Sequence, residues 1–121
     1  MNENQREHFK LILKAWRREL MEEVDRTVTH MKDEAANFPD PADRATIEEE
    51  HALELRTRDR ERKLVAKIDS ALRRIDNGEY GYCEVTGEPI SLKRLDARPI
   101  ATMSLEAQER HERRERVHRD D

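Results

Sequence analysis

Apolar residues in the first third of the chain fall at Phe9, Leu13, Trp16, Leu20, Val24, Val28, Met31 and Ala35. The steps are 4, 3, 4, 4, 4, 3 and 4, which puts every one of them on a single helical face. The mean step of about 3.7 lies nearer an 11-residue repeat than a heptad, so little left-handed supercoil is needed. The pattern predicts a helix from roughly Asn4 to Ala36, about 50 Å long at 1.5 Å per residue. It stops at Asn37-Phe-Pro-Asp-Pro-Ala-Asp43, where Pro39 and Pro41 cannot sit inside a helix. Asp40-Pro41 suits an N-cap and a first helical position, and Thr46 with Glu49 offers a capping box further on. A second helix then runs to about Ile75, with an apolar stripe of Ile47, Leu55, Leu64 or Val65, Ile68, Leu72 and Ile75. Asp76-Asn77-Gly78 closes it with glycine at the expected C-terminal position.

Two long helices joined by a short turn pack antiparallel. The expected fold class is therefore mainly α: a long antiparallel two-helix coiled-coil hairpin over residues 1–78, with its tip near 37–45. Residues 56–63, RTRDRERK, contain no apolar side chain and interrupt the seam. They read either as a solvated face laced with intrahelical ion pairs or as a docking surface. Residues 79–103 change character, because Gly81, Gly87, Pro89 and Pro99 break the helical period. Tyr82, Val85, Ile90, Leu92, Leu95 and Ile100 can make a small packed knot of turns, with room for a short hairpin. Ser104 is a candidate N-cap for a last, almost wholly charged helix reaching about His118, in which Leu105 and Val117 are the large apolar residues. Residues 79–121 thus form a second region, and Phe9, Ile12 and Trp16 of the first helix are expected to pack on it.

Composition fits this picture. Of 121 residues, 35% are hydrophobic and 43% charged, against roughly 45–50% and 25% in an ordinary globular chain. A large compact core is excluded, and a narrow helical seam remains. The net charge of −4 comes from 24 basic and 28 acidic residues, a mixed surface unlike the basic stripe of a nucleic-acid binder. No apolar run is long enough to span a membrane, and the N-terminus has no signal-peptide core. Cys83 stands alone, which excludes an internal disulfide and suits a reducing compartment.

Candidate chemistry is sparse. Asp40 and Asp43 at the tip read either as caps that compensate a helix dipole or as an outward carboxylate probe. GYCEVTGEPI, residues 81–90, has the rhythm of a zinc knuckle, but Thr86 stands where a partner cysteine would sit, and Ser104 and Ala107 stand where a second pair would. One thiolate cannot hold structural zinc. His111 and His118 lie on a charged helix, and His8, His30 and His51 are scattered. No Ser-His-Asp set, phosphate-cradling glycine loop or HExxH motif is present, so nothing supports an enzyme.

EVDRTVTHMKDEAANFPDPADRA, residues 23–45, resembles the coiled coil and tip of the DksA family of bacterial transcription regulators. LELRTRDRERKL at 53–64, GYCEVTGEPI at 81–90 and RLDARP at 94–99 continue the resemblance in the same order, over roughly residues 3–100. The resemblance implies a cytoplasmic, monomeric protein that is not an enzyme and does not read DNA sequence. It implies insertion of the coiled coil into the secondary channel of RNA polymerase. Together with guanosine tetraphosphate (ppGpp), such a protein modulates initiation at ribosomal-RNA and amino-acid promoters. Carried over by position, the tip residues are Asp40, Asp43 and Ala45, the channel-rim contact is Arg60, and the ppGpp contacts are Leu64, Lys67 and Arg98. Cationic Lys67 and Arg98 suit phosphate. The family's zinc-ligand positions are occupied by Cys83, Thr86, Ser104 and Ala107, which resembles the zinc-independent variants. A further basic ppGpp contact becomes Gln108, and Thr57 replaces an asparagine on the shaft. A transcript-cleavage-factor-like channel binder and a plain coiled-coil adaptor are the alternatives.

Overall fold

A computed structural model describes residues 1–35 and 41–120, without the side chains of residues 31, 33–35, 41–43 and 118–120. It contains four helices: α1 (Glu3–Ala35), α2 (Pro41–Asp76), α3 (Leu92–Ala97) and α4 (Leu105–Asp120). The chain forms two compact units, one of Met1–Leu13 with Ser70–Asp121 and the other of Lys14–Asp69. Both long helices therefore contribute to both units. We call them the head unit and the shaft unit.

In the shaft unit α1 and α2 run antiparallel. Arg17 Nε bonds Asp69 at 2.6 Å, and His30 Nδ1 lies 3.0 Å from Glu54 Oε1, so numbers rise along one helix as they fall along the other. The predicted face of α1 packs where it is described: Leu20 and Val24 are buried here and Trp16 and Val28 half-buried, while the side chains of Met31 and Ala35 lie outside the described residues. The stripe of α2 departs from the expectation at its middle. Leu55 is 42% exposed, and the inward positions are His51, Glu54, Arg58 and Glu61. With Ile47, Val65 and Ile68 these continue one regular seam, buried or half-buried at every step. The charged stretch does not leave the seam; part of it lies inside.

The head unit gathers the N-terminal turns of α1, the end of α2 and residues 79–121. Its buried residues include Phe9, Leu13, Ala71, Ile75, Tyr80, Cys83, Ile90, Leu95, Ile100, Ala101 and Ala107. Of the contacts expected from α1, Phe9 is made: its ring lies 5.7 Å from that of Tyr80. Ile12 is 37% exposed and Trp16 belongs to the shaft unit, whereas Leu13, which the expectation omitted, is fully buried here. Lys10 Nζ reaches Asp76 at 3.4 Å.

Gly78, at φ 76°, ends α2, and its N–H bonds the Ile75 carbonyl at 3.2 Å. The knot that follows has one antiparallel bridge, Tyr82 to Pro89, where the sequence left room for a hairpin. Gly81 at φ 89° is buried, and a side chain there would meet Met1 at 3.0 Å and Leu95 at 3.7 Å. The short helix α3 was not expected. Ser91 starts it, its hydroxyl accepting the Arg94 N–H at 3.2 Å. Arg94 Nε then bonds the Met103 carbonyl at 2.9 Å. Ser104 caps α4 as expected, accepting the Ala107 N–H at 3.2 Å. Leu105 and Val117 are 55% and 62% exposed, so α4 is anchored through its first turn at Ala107 rather than through its large apolar residues.

Tyr80 ties the knot to the α3–α4 connection, its hydroxyl donating to the Pro99 carbonyl at 2.7 Å. Burial, offset in part by Arg74 and assisted by Asp96, pushes its hydroxyl from the usual 10 up to about 12. A raised folded-state value means full stability below pH 10, lost as pH rises from 10 toward about 12. Tyr80→Phe should cost about 1 kcal/mol at neutral pH through loss of this hydrogen bond. It should also flatten the alkaline decline. Urea titrations from pH 7 to 11 measure both.

Candidate functional site

Arg60, Leu64 and Lys67 recur at i, i+4 and i+7 on one side of α2 in the shaft unit. Arg60 and Lys67 are exposed and Leu64 is half-buried between them. Two cations therefore flank an aliphatic patch, an arrangement fitted to an anionic, partly apolar contact. Thr57, half-buried one turn earlier, spends its hydroxyl on the Leu53 carbonyl at 3.1 Å and offers no side-chain donor outward. Ala45 lies exposed in the second turn of α2. Asp43 belongs to the first turn of α2 with its side chain outside the described residues, and Asp40 lies outside them altogether.

Arg98 and Gln108 belong to the head unit. Arg98 ends α3, its N–H on the Arg94 carbonyl at 2.8 Å and its side chain exposed. Gln108 is half-buried and donates from Nε2 to Glu112 Oε1 at 3.1 Å, so its amide is already engaged within α4.

The knuckle positions lie in the head unit. Cys83 is 2% exposed and its N–H bonds the Glu88 carbonyl at 2.8 Å, closing the turn. Burial favours its neutral thiol. The Thr86 hydroxyl and the N–H groups of Ser104, Thr86 and Val85 outweigh that and bring it from the usual 9 down to about 6. The rest of the donor set does not fit a zinc ion, which needs four thiolate or imidazole ligands. Ala107 is a buried methyl, the Ser104 hydroxyl is spent capping α4, and the Thr86 hydroxyl accepts the Glu88 N–H at 3.3 Å. Among the described residues no three His, Cys, Asp or Glu side chains converge as metal ligands. No helix among them is long and apolar enough to cross a membrane.

Comparison with known proteins settles the family. The N-terminal domain of the DnaK suppressor protein DksA matches residues 5–75, and the prokaryotic dksA/traR C4-type zinc finger matches residues 78–113. The chain belongs to the DksA family. An RNA polymerase-binding transcription factor DksA from Caulobacter vibrioides is 64% identical over 121 residues, all of this chain and 85% of the relative. The factor of the same name from Escherichia coli K12 is 56% identical over 116 residues, 96% of this chain and 77% of that one. Among solved structures, transcription factor DksA2 from Pseudomonas aeruginosa superposes with a TM-score of 0.89 at 44% identity. That match covers 96% of this chain and 89% of the other. Within the DksA family frame, the match to a C4-type finger coexists here with a single cysteine.

The seam charges were missed by the sequence reading, which looked for apolar residues. The signal was available as position: stepping back from Ile75 through Leu72, Ile68 and Val65 by threes and fours lands on Glu61, Arg58 and Glu54. Glu61 is 9% exposed, and Glu61 Oε2, Glu54 Oε2 and Arg58 Nε are buried without hydrogen-bond partners. Each such atom costs about 1–3 kcal/mol. Glu61→Met, which fills the same volume without charge, should raise stability by about 1–3 kcal/mol. A higher midpoint in urea with an unchanged slope is the expected result.

Proposed function

We propose that this chain is a zinc-independent transcription regulator that binds RNA polymerase through its secondary channel and acts, with ppGpp, on initiation. Identity of 64% along the whole chain to an RNA polymerase-binding transcription factor carries the reading. The exposed Arg60–Leu64–Lys67 face supports it, because a docking contact needs accessible cations rather than ion-paired ones. In this reading Arg60 contacts the channel rim, and Asp40, Asp43 and Ala45 approach the polymerase active site. Lys67 and Arg98 bind the phosphates of ppGpp, with Leu64 against its apolar part. Gln108, neutral and engaged with Glu112, contributes little to that binding, so ppGpp dependence is weaker than a third cation would give. The targets are ribosomal-RNA and amino-acid promoters. The protein works as a cytoplasmic monomer, reads no DNA sequence and catalyses no reaction.

Zinc independence rests on the donor set. Ala107 is a buried methyl, the Ser104 hydroxyl caps α4 and the Thr86 hydroxyl accepts the Glu88 N–H, which supports a knuckle built around one thiol. The knuckle then closes by hydrogen bonding without coordination.

Transcription in vitro from a ribosomal-RNA promoter tests the proposal, using protein treated with a chelator and untreated protein, with and without ppGpp. Both preparations should repress equally, and ppGpp should deepen the effect. Lys67→Ala or Arg98→Ala should remove only the ppGpp-dependent part. Asp40→Asn with Asp43→Asn, compared at equal polymerase occupancy, should abolish repression. Repression lost on chelation would overturn the zinc-independent reading, and no repression by the parent would overturn the regulatory one. Release of short RNA from stalled complexes would point instead to a cleavage-factor-like activity.

A further inference from the structure

The shaft unit carries a second feature away from the Arg60 face. A groove of about 480 Å³ opens between α1 and α2, with Val24, Val28 and Val65 in its lining and Met21 at its edge, 38% exposed. Arg58 and Arg62 line it from α2, and Asp25 lines it from α1. Arg58 Nε is buried with no hydrogen-bond partner, and Arg62 is exposed with no ion-pair partner among the described residues. Two guanidiniums against one carboxylate leave the lining positive. At about 100° per residue, Arg58 and Arg62 lie roughly 160–200° round α2 from Arg60. A partner seated on Arg60, Leu64 and Lys67 therefore leaves this groove uncovered.

We propose that the groove is a second docking face for RNA polymerase, taking an acidic segment that sets an aliphatic side chain on the valines and a carboxylate on Arg58 and Arg62. The inference rests on the polymerase-binding reading above and adds a contact to it. Charge complementarity selects the occupant. The groove lining sets the guanidiniums of Arg58 and Arg62 against the one carboxylate of Asp25, and the valine lining rewards an apolar neighbour to an incoming carboxylate. A second copy of this chain is a poorer match, since its corresponding groove presents the same excess of positive charge. A shaft held on opposite sides is also fixed in rotation about its own axis, which a single contact face does not achieve.

Titration of fluorescently labelled full-length chain with purified core RNA polymerase tests this. Arg62→Glu and Met21→Asp alter exposed side chains, so the fold is retained, and unchanged helical circular dichroism and melting confirm it. Each should weaken binding roughly tenfold, the scale of one well-placed charged contact. Combined with Arg60→Glu, the losses should multiply, as they do for separate contact sites. Parent-like binding by both groove variants, with Arg60→Glu weakened, would overturn the second face and leave the polymerase-binding reading standing. Failure of the parent to bind polymerase would overturn both.

Discussion

The seam between α1 and α2 is the constraint on which the shaft unit depends. With 35% hydrophobic residues, the chain packs a narrow apolar stripe rather than a broad core. α1 contributes Trp16, Leu20, Val24 and Val28 to it along the shaft. α2 answers with a stripe whose ends are apolar, at Ile47 and at Val65 and Ile68, and whose centre is His51, Glu54, Arg58 and Glu61. Hydrophobic burial alone would leave such a pairing free to slip. The Arg17–Asp69 ion pair and the His30–Glu54 hydrogen bond favour the observed register, because displacement by one turn would break both contacts. Stability is given up at the centre of the seam and register is gained there.

The same polar centre shapes the outside of the shaft. The groove opens beside Val24 and Val28 where α2 presents Arg58 and Arg62. Arg60, Leu64 and Lys67 project from the other side of α2. One eight-residue stretch thus supplies a buried carboxylate, a groove wall and an exposed cationic face. The head unit solves a separate problem, closing a knuckle around one cysteine. Hydrogen bonds donated by Cys83 N–H and the Tyr80 hydroxyl, and accepted by the Ser91 and Ser104 hydroxyls, hold its turns and helix starts.

Legibility from sequence followed the source of each signal. The packed face of α1 was legible at Phe9, Leu13, Trp16, Leu20, Val24 and Val28, because these inward positions are apolar at helical spacing. The middle of α2 was not, because apolar content was the guide and the inward positions there are polar; Leu55 was drawn to the seam for its chemistry alone and is exposed instead. α3 escaped because six residues are too few for a helical period, and its signal is the single cap at Ser91. The α4 cap was legible in Ser104, whereas the exposure of Leu105 and Val117 was not, since nothing in a charged helix says which face docks. The Arg60, Leu64 and Lys67 face could be read once the resemblance had singled out those positions, because helical spacing then places them together. The groove could not, since it arises from what two helices fail to cover.

A photo-crosslinking side chain at Ala45 tests the channel-probe account most directly. Ala45 is exposed near the start of α2, and the replacement leaves Asp40 and Asp43 in place. The account predicts crosslinks to polymerase segments next to the active site, reduced by a cleavage factor that competes for the secondary channel. Crosslinks confined to the outer surface of polymerase, from a protein that binds it tightly, would contradict the account.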